Sequence, residues 1–152
     1  MTAITLDQAN AIIAAGLAKG RELGLQPLAI AVLDPGGHLL AFQRQDGATT
    51  LRVQIASAKA GGALGLGVSS RRIGEMAAER PAFIASLGPI APQGVVPAAG
   101  GVIVADDAGL ILGAVGVTGD TSDNDELCAL AGIAAAGLTP AQSQGQPSTA
   151  RR

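Results

Sequence analysis

The sequence predicts an α+β domain, an antiparallel sheet with helices packed on it. Three observations carry this. Two apolar runs of strand length, 28–33 and 102–105, each end in an Asp/Gly turn and return as a second apolar stretch. The segments around them repeat apolar residues at helical spacing. Read in order, the chain is helix, hairpin, two helices, hairpin, helix.

Thr5 with Gln8 has capping-box spacing, Leu6, Ala9, Ile13 and Leu17 follow at helical period, and Gly24 is a suitable stop. A helix is expected over Leu6–Leu23, and Pro27 closes that region. Leu28-Ala-Ile-Ala-Val-Leu33 is continuously apolar, as a strand covered on both faces is. In Asp34-Pro-Gly-Gly37, Pro sets φ and Gly tolerates a positive φ, so the chain turns back into a strand over 38–44. Leu51, Ile55, Ala58 and Gly62 share one helical face, and the Ala/Gly richness of 58–67 implies close packing against another backbone. Ser69 or Ser70 caps a further helix through Ile73, Met76 and Ala77 up to Arg80, after which Pro81 opens a new segment. Residues 87–101, rich in Gly and Pro, make the longest loop, and long loops in small domains are often functional.

The second hairpin, 102–105 and 110–117 about the turn Asp106-Asp-Ala-Gly109, resembles the first. Val32 matches Val104, Asp34 matches Asp106, Gly37 matches Gly109 and Leu40 matches Leu112. The run Gly116-Val-Thr-Gly-Asp-Thr-Ser-Asp-Asn-Asp-Glu126 then reads as strand, glycine turn and helix start. Asp123 and Glu126 stand at capping-box spacing, and free N–H groups there suit either that cap or an anionic ligand. The last helix is expected over 122–136, stopped at Gly137. The whole is one domain, 1–138, with a Pro-, Gln- and Ser-rich tail, 139–152, expected to be mobile.

Composition bounds the function. At 152 residues and 48% hydrophobic, the chain can bury a real core. No apolar run reaches the length of a membrane span, and no basic region heads a signal peptide, so the cytoplasm is the expected compartment. With net charge −2, two Phe and no Trp or Tyr, the chain lacks the basic face or aromatic platforms of a nucleic-acid binder. Neither nucleic acid nor membrane is an expected partner. One His and one Cys exclude multi-histidine and cysteine-based zinc sites. No Lys or Arg falls between Arg80 and Arg151, while Asp106, Asp107, Asp120, Asp123, Asp125 and Glu126 crowd the same half. That acidic face is suited to the basic Arg71, Arg72 and Arg80 of another subunit.

Val32-Leu-Asp-Pro-Gly-Gly-His-Leu-Leu-Ala-Phe42, Arg44 with Asp46-Gly47, Ile55-Ala56 with Ala58-Lys59-Ala60, Arg80-Pro81, Gly100-Gly101-Val102 and Gly113-Ala-Val-Gly-Val-Thr-Gly119 followed by the acids 123–126 stand in an ordered combination. In that order the chain, from about Thr5 to Leu138, resembles the GlcG/HbpS family, the haem-degrading or DUF336 domain that also forms the C-terminal part of PduO-type proteins. The resemblance implies a profilin-like α/β/α sandwich with about five strands, homo-oligomers, and haem binding in several members. Others are linked with glycolate, propanediol or corrinoid metabolism. The Asp-Thr-Ser-Asp-Asn-Asp-Glu run sets this chain with a cytoplasmic metabolic subgroup more than with secreted haem sensors.

His38 is the one imidazole, at a hairpin end; ordinary turn placement is the plainer reading, and a haem axial ligand or acid–base group the functional ones. Arg44, Asp46 and Lys59 match family positions. Arg44 is a two-pronged clamp for a carboxylate or haem propionate, and Lys59 a point charge or a base; a surface Arg44–Asp46 pair and a solvated lysine are the plainer alternatives. Gly100, Gly101, Thr118, Gly119 and Asp120 supply backbone and polar groups near the same expected ligand. Met76 and Cys128 read as core, and Glu75 and Glu79 as a solvated helix face.

Two readings stay open. One is a protein binding haem or another tetrapyrrole, with an apolar slot near His38 and the 100–119 region. The other is a cofactor-free enzyme acting on a small hydroxy or keto acid, with a polar pocket built from Arg44, Lys59, Gly100, Gly101 and Asp120. A purely structural oligomer is a third. No Gly-x-Gly-x-x-Gly follows a strand in a βαβ setting, which disfavours a dehydrogenase.

Overall fold

A computed structural model describes residues 2–142. Helix α1 spans Leu6–Leu23, where the expected capping box forms: Thr5 and Gln8 exchange side-chain-to-backbone hydrogen bonds, and Gly24 closes the helix at φ 67°. The first hairpin is β1 (Ala29–Leu33) and β2 (Leu39–Arg44). Three helices follow, α2 (Arg52–Leu66), α3 (Ser70–Glu79, capped by the Ser69 side chain) and α4 (Pro81–Leu87). The second hairpin is β3 (Gly101–Ala105) and β4 (Ile111–Thr118), and α5 covers Ser122–Ala135. Its cap differs from the expected Asp123: the Thr121 side chain accepts from the Asn124 N–H. Thr139–Pro140, placed by composition in the mobile tail, instead pair with Val104 and Ala105 as a short strand β5. The rest of the expected tail, 143–152, lies outside the described residues.

The sheet runs β2-β1-β4-β3-β5, every neighbour antiparallel. Helices α1 and α5 cover one face and α2 the other, with α3 and α4 beyond it. This is the expected α+β sandwich, and β1 and β3 are buried throughout.

The two faces are filled differently because strand side chains alternate. Toward α1 and α5 point Ile30, Val32, Val102, Val104, Val115 and Val117, packed on Ile12, Ile13, Leu17 and Ile133. Burying each large side chain is worth roughly 1.5–3 kcal/mol. Toward α2 point small residues: Ala29 and Ala31 meet Ala56, and Leu33 and Ala114 meet Ala60. Gly116 and Gly101, directly paired across β4 and β3, complete this side. A Cβ on Gly116 would run into the Ala56 carbonyl, and one on Gly101 into the Lys59 carbonyl. The Ala/Gly-rich helix therefore lies backbone-close to the sheet, as its composition implied.

Candidate functional site

The predicted residues fall into three places. The first is the β1–β2 turn. Asp34 organises it: Oδ1 accepts from the Gly36 and His38 N–H groups at 2.9 Å each. The same carboxylate holds His38 Nδ1, at 3.1 and 3.2 Å from its two oxygens. The His38 N–H first, then the His38 ring, keep the Asp34 carboxyl below its ordinary pKa. With Nδ1 on a carboxylate, Nε2 is the nitrogen left for a ligand, the arrangement metal-binding histidines use. His38 is 80% exposed. Its ring lies over Gly36, where an added Cβ would stand 2.7 Å from Cε1.

Gly36 is also a wall of an apolar cavity of about 380 Å³. The turn 35–37 forms one side, the glycine-rich end of α2 (Gly61 to Leu66) the floor, and the loop 87–95 the other side. Leu64, Leu66, Leu87 and Ile90 give it hydrophobic walls. Gln93 also lines it, its Nε2 donating to the Gly37 carbonyl. The size is that of a small-molecule site. The cavity adjoins the turn that leads to His38 and uses the long loop the sequence singled out, but neither His38 nor the 100–119 region of the expected slot lines it. Gln93 and the orienting role of Asp34 were missed; Asp34 and His38 four apart across a turn was the available signal.

The second place is the far end of the central strands. Lys59, on α2, is 3% exposed, and Nζ donates to the Val117 carbonyl at 3.0 Å and Asp125 Oδ2 at 3.1 Å. Asp125 Oδ1 in turn accepts from the Asp120 N–H. Desolvation lowers the Lys59 pKa and raises that of Asp125. Around the pair, Thr118 Oγ1 accepts from Arg52, Ser70 Oγ accepts from the Gly101 N–H, and Gly100 lies against the lysine stem. Gly119 passes the Pro27 carbonyl, and Asp120 accepts from the Asn124 side chain and the Gln26 N–H, which hold its pKa low. So Lys59, Gly100, Gly101, Thr118, Gly119 and Asp120 do come together, around a closed ion pair. Asp125, the acid that matters most here, was read only as one of a run.

The third place is the open end of β2, where Arg44 and Asp46 line a separate polar groove with Arg21 of α1. They form no pair with each other; Arg44 donates to the Ala48 carbonyl. The polar pocket expected from Arg44, Lys59 and Asp120 together does not assemble. Part of the acidic face finds its partner within the chain, where Arg71 bridges Asp123 and Glu126; Arg72 instead bridges Glu75 and Glu79 of its own helix. Cys128 is buried and its thiol pushed up to about 11 by desolvation, which suits core packing and not nucleophilic chemistry. Among the described residues no cluster of His, Cys, Asp and Glu has metal-site geometry. None of the helices among the described residues is long and apolar enough to cross a membrane.

An antiparallel sheet closed by helices on both faces, with an apolar cavity at one hairpin end, is an α+β sandwich of the kind the sequence predicts. The sequence model of the HbpS-like haem-degrading proteins matches residues 4–134, and the chain belongs to that family. Solved structures agree. The PduOC–haem complex superposes with TM-score 0.81 at 20% identity, over 92% of this chain and 99% of that one. Klebsiella pneumoniae protein ORFY, of DUF336, gives 0.79 at 29% identity, over 90% and 92%. A variant of Streptomyces reticuli HbpS gives 0.76 at 29% identity, over 88% and 87%. No curated protein sequence matches significantly.

Proposed function

We propose that the protein binds haem or a related tetrapyrrole, held in the apolar cavity beside the β1–β2 turn with His38 as axial ligand. The observation that carries this is a carboxylate-held histidine directly following the turn 35–37 that walls an apolar cavity. The donor set fits: a neutral imidazole with Nδ1 occupied presents Nε2 to iron, and Leu64, Leu66, Leu87 and Ile90 suit a macrocycle edge. The haem complex of a protein of this fold, and the family itself, point the same way. When bound, haem would supply the redox and gas chemistry; the chain supplies the ligand, the dry wall and the Asp34 hydrogen bond.

The enzyme reading has less support. Lys59 is committed to Asp125 and Val117, so it is no free base. The reading takes the protein as a cytoplasmic homo-oligomer; the edge strand β2, with Leu39 exposed and Leu40, Ala41 and Phe42 half-buried, supports self-association.

A haemin titration followed by visible absorption tests it. The expected result is a saturable Soret shift at one haem per subunit, altered in position by His38→Ala. Gly65 lines the cavity and has open space where a Cβ would stand, so Gly65→Leu should abolish the shift while the fold persists. No saturable shift, or one indifferent to both substitutions, would sink the proposal.

A further inference from the structure

The described cationic side chains are almost all matched. Lys19 meets Glu22, Lys59 meets Asp125, Arg71 meets Asp123 and Glu126, and Arg72 meets Glu75 and Glu79. Arg52 donates to Thr118, and Arg80 stacks on the Phe83 ring at 4.2 Å. Arg21 and Arg44 are the exceptions: among the described residues no side chain, acidic, aromatic or hydroxyl, pairs with either. They come from different elements, the last turn of α1 and the end of β2, yet line one groove of about 480 Å³. Leu17, Leu25 and Pro27 line it as well and give it apolar surface. Asp46 stands in the same groove without pairing to Arg44, so the guanidinium that an adjacent acid could have neutralised is left available.

We infer that this groove is a second binding site, for a small oxyanion carrying a carboxylate or phosphate, gripped by Arg21 and Arg44. Guanidinium groups match such planar or tetrahedral oxygens with paired N–H donors, and two from separate elements fix orientation as well as charge. Arg44 is already steadied by the Ala48 carbonyl, so less side-chain freedom is lost on binding. The apolar surface from Leu17, Leu25 and Pro27 suits a short carbon skeleton behind the charged group. The site is independent of the haem proposal. The cavity sits at the β1–β2 turn, and the groove at the opposite end of β2.

Isothermal titration calorimetry at low ionic strength, with inorganic phosphate and with succinate as probes, tests this. The expected result is saturable one-to-one binding with Kd below about 1 mM for at least one probe. Arg21→Gln and Arg44→Gln should each weaken it about tenfold or more, the loss expected when one charge-assisted contact is removed. Lys19→Gln, an equal change of charge on a lysine already paired with Glu22, should leave it unchanged. Preference for phosphate or for succinate identifies the anion source, and either supports the site. The two arginines are exposed, so the variants should unfold like the parent, and thermal melts check this. No saturable heat with either probe would overturn the inference. So would binding that Lys19→Gln weakens as much as the arginine changes do, because that marks diffuse attraction to net charge.

Discussion

The two hairpins of the sheet begin alike and end differently. In each, an aspartate accepts two N–H groups of its own turn: Asp34 from Gly36 and His38, Asp106 from Ala108 and Leu110. In each, the glycine three residues on adopts φ 85°, and the pairing shifts register before the turn, at Val32/Leu33 and Val104/Ala105. The fifth position then separates them. His38 stands where the second hairpin has Leu110, and the loop 87–95 closes a cavity against the first turn only. The far ends differ too. β4 leads into the buried Lys59–Asp125 pair, whereas β2 leads into exposed Arg44 and Asp46. A turn's hydrogen bonds fix its geometry, and what is placed beside that geometry decides whether it becomes a site.

The largest difference between the hairpins should appear at those far ends. Lys59→Ala strips the partner from a buried carboxylate and should cost about 3–5 kcal/mol. That corresponds to a fall in melting temperature on the order of 10 °C for a chain of this length. Arg44→Ala, at the equivalent end of the first hairpin, should stay within about 0.5 kcal/mol. The double change Lys59→Met with Asp125→Leu should recover most of the loss, because an apolar pair needs no desolvation of charge. Urea titrations of the four proteins decide it. A mild Lys59→Ala would mean that water reaches Asp125.

The turns, by contrast, should answer alike. Gly37→Ala and Gly109→Ala each force a side chain into left-handed backbone, at about 1–2 kcal/mol. Denaturant midpoints should fall equally, since a Cβ at either position meets nothing within 4 Å. Unequal losses would show that the turns differ in strain as well as in neighbours.

Much of this was legible in the sequence, for local reasons. The capping box of α1, the Asp/Gly turns and the continuous apolar strands are chemistry within a few residues, and the helix, hairpins and sandwich followed from them. The site was less so. Lys59 reads as one charge on a small-residue helix; nothing near it says that Asp125, far along the chain, will neutralise it beneath the Val117 carbonyl. Gln93 and Gly37 meet through a loop whose path no periodicity encodes. Arg21 lies in the last turn of a helix, far along the chain from Arg44, and only the fold brings the two into one groove. Pairings set by topology across the sheet ends were invisible, whereas those set by turn and helix geometry were not.

The smallest effect sharpens the comparison at the turn itself. Asp34 has its carboxyl pKa lowered chiefly by the His38 backbone N–H, with the imidazole contributing less. A group so lowered stabilises the fold above its unfolded pKa of about 3.9, and that contribution fades as pH falls through the lower folded value. The carboxylate is substantially exposed, so the stability at stake is small and best read by carbon NMR titration of Asp34 rather than by unfolding. In His38→Ala the backbone N–H remains, and the Asp34 midpoint should rise only part of the way to the ordinary value. A full return would mean that the imidazole, not the turn, holds the carboxylate. The histidine would then shape the hairpin that presents it, and the likeness to the Asp106 turn, which keeps its form with Leu110 in that position, would be coincidental.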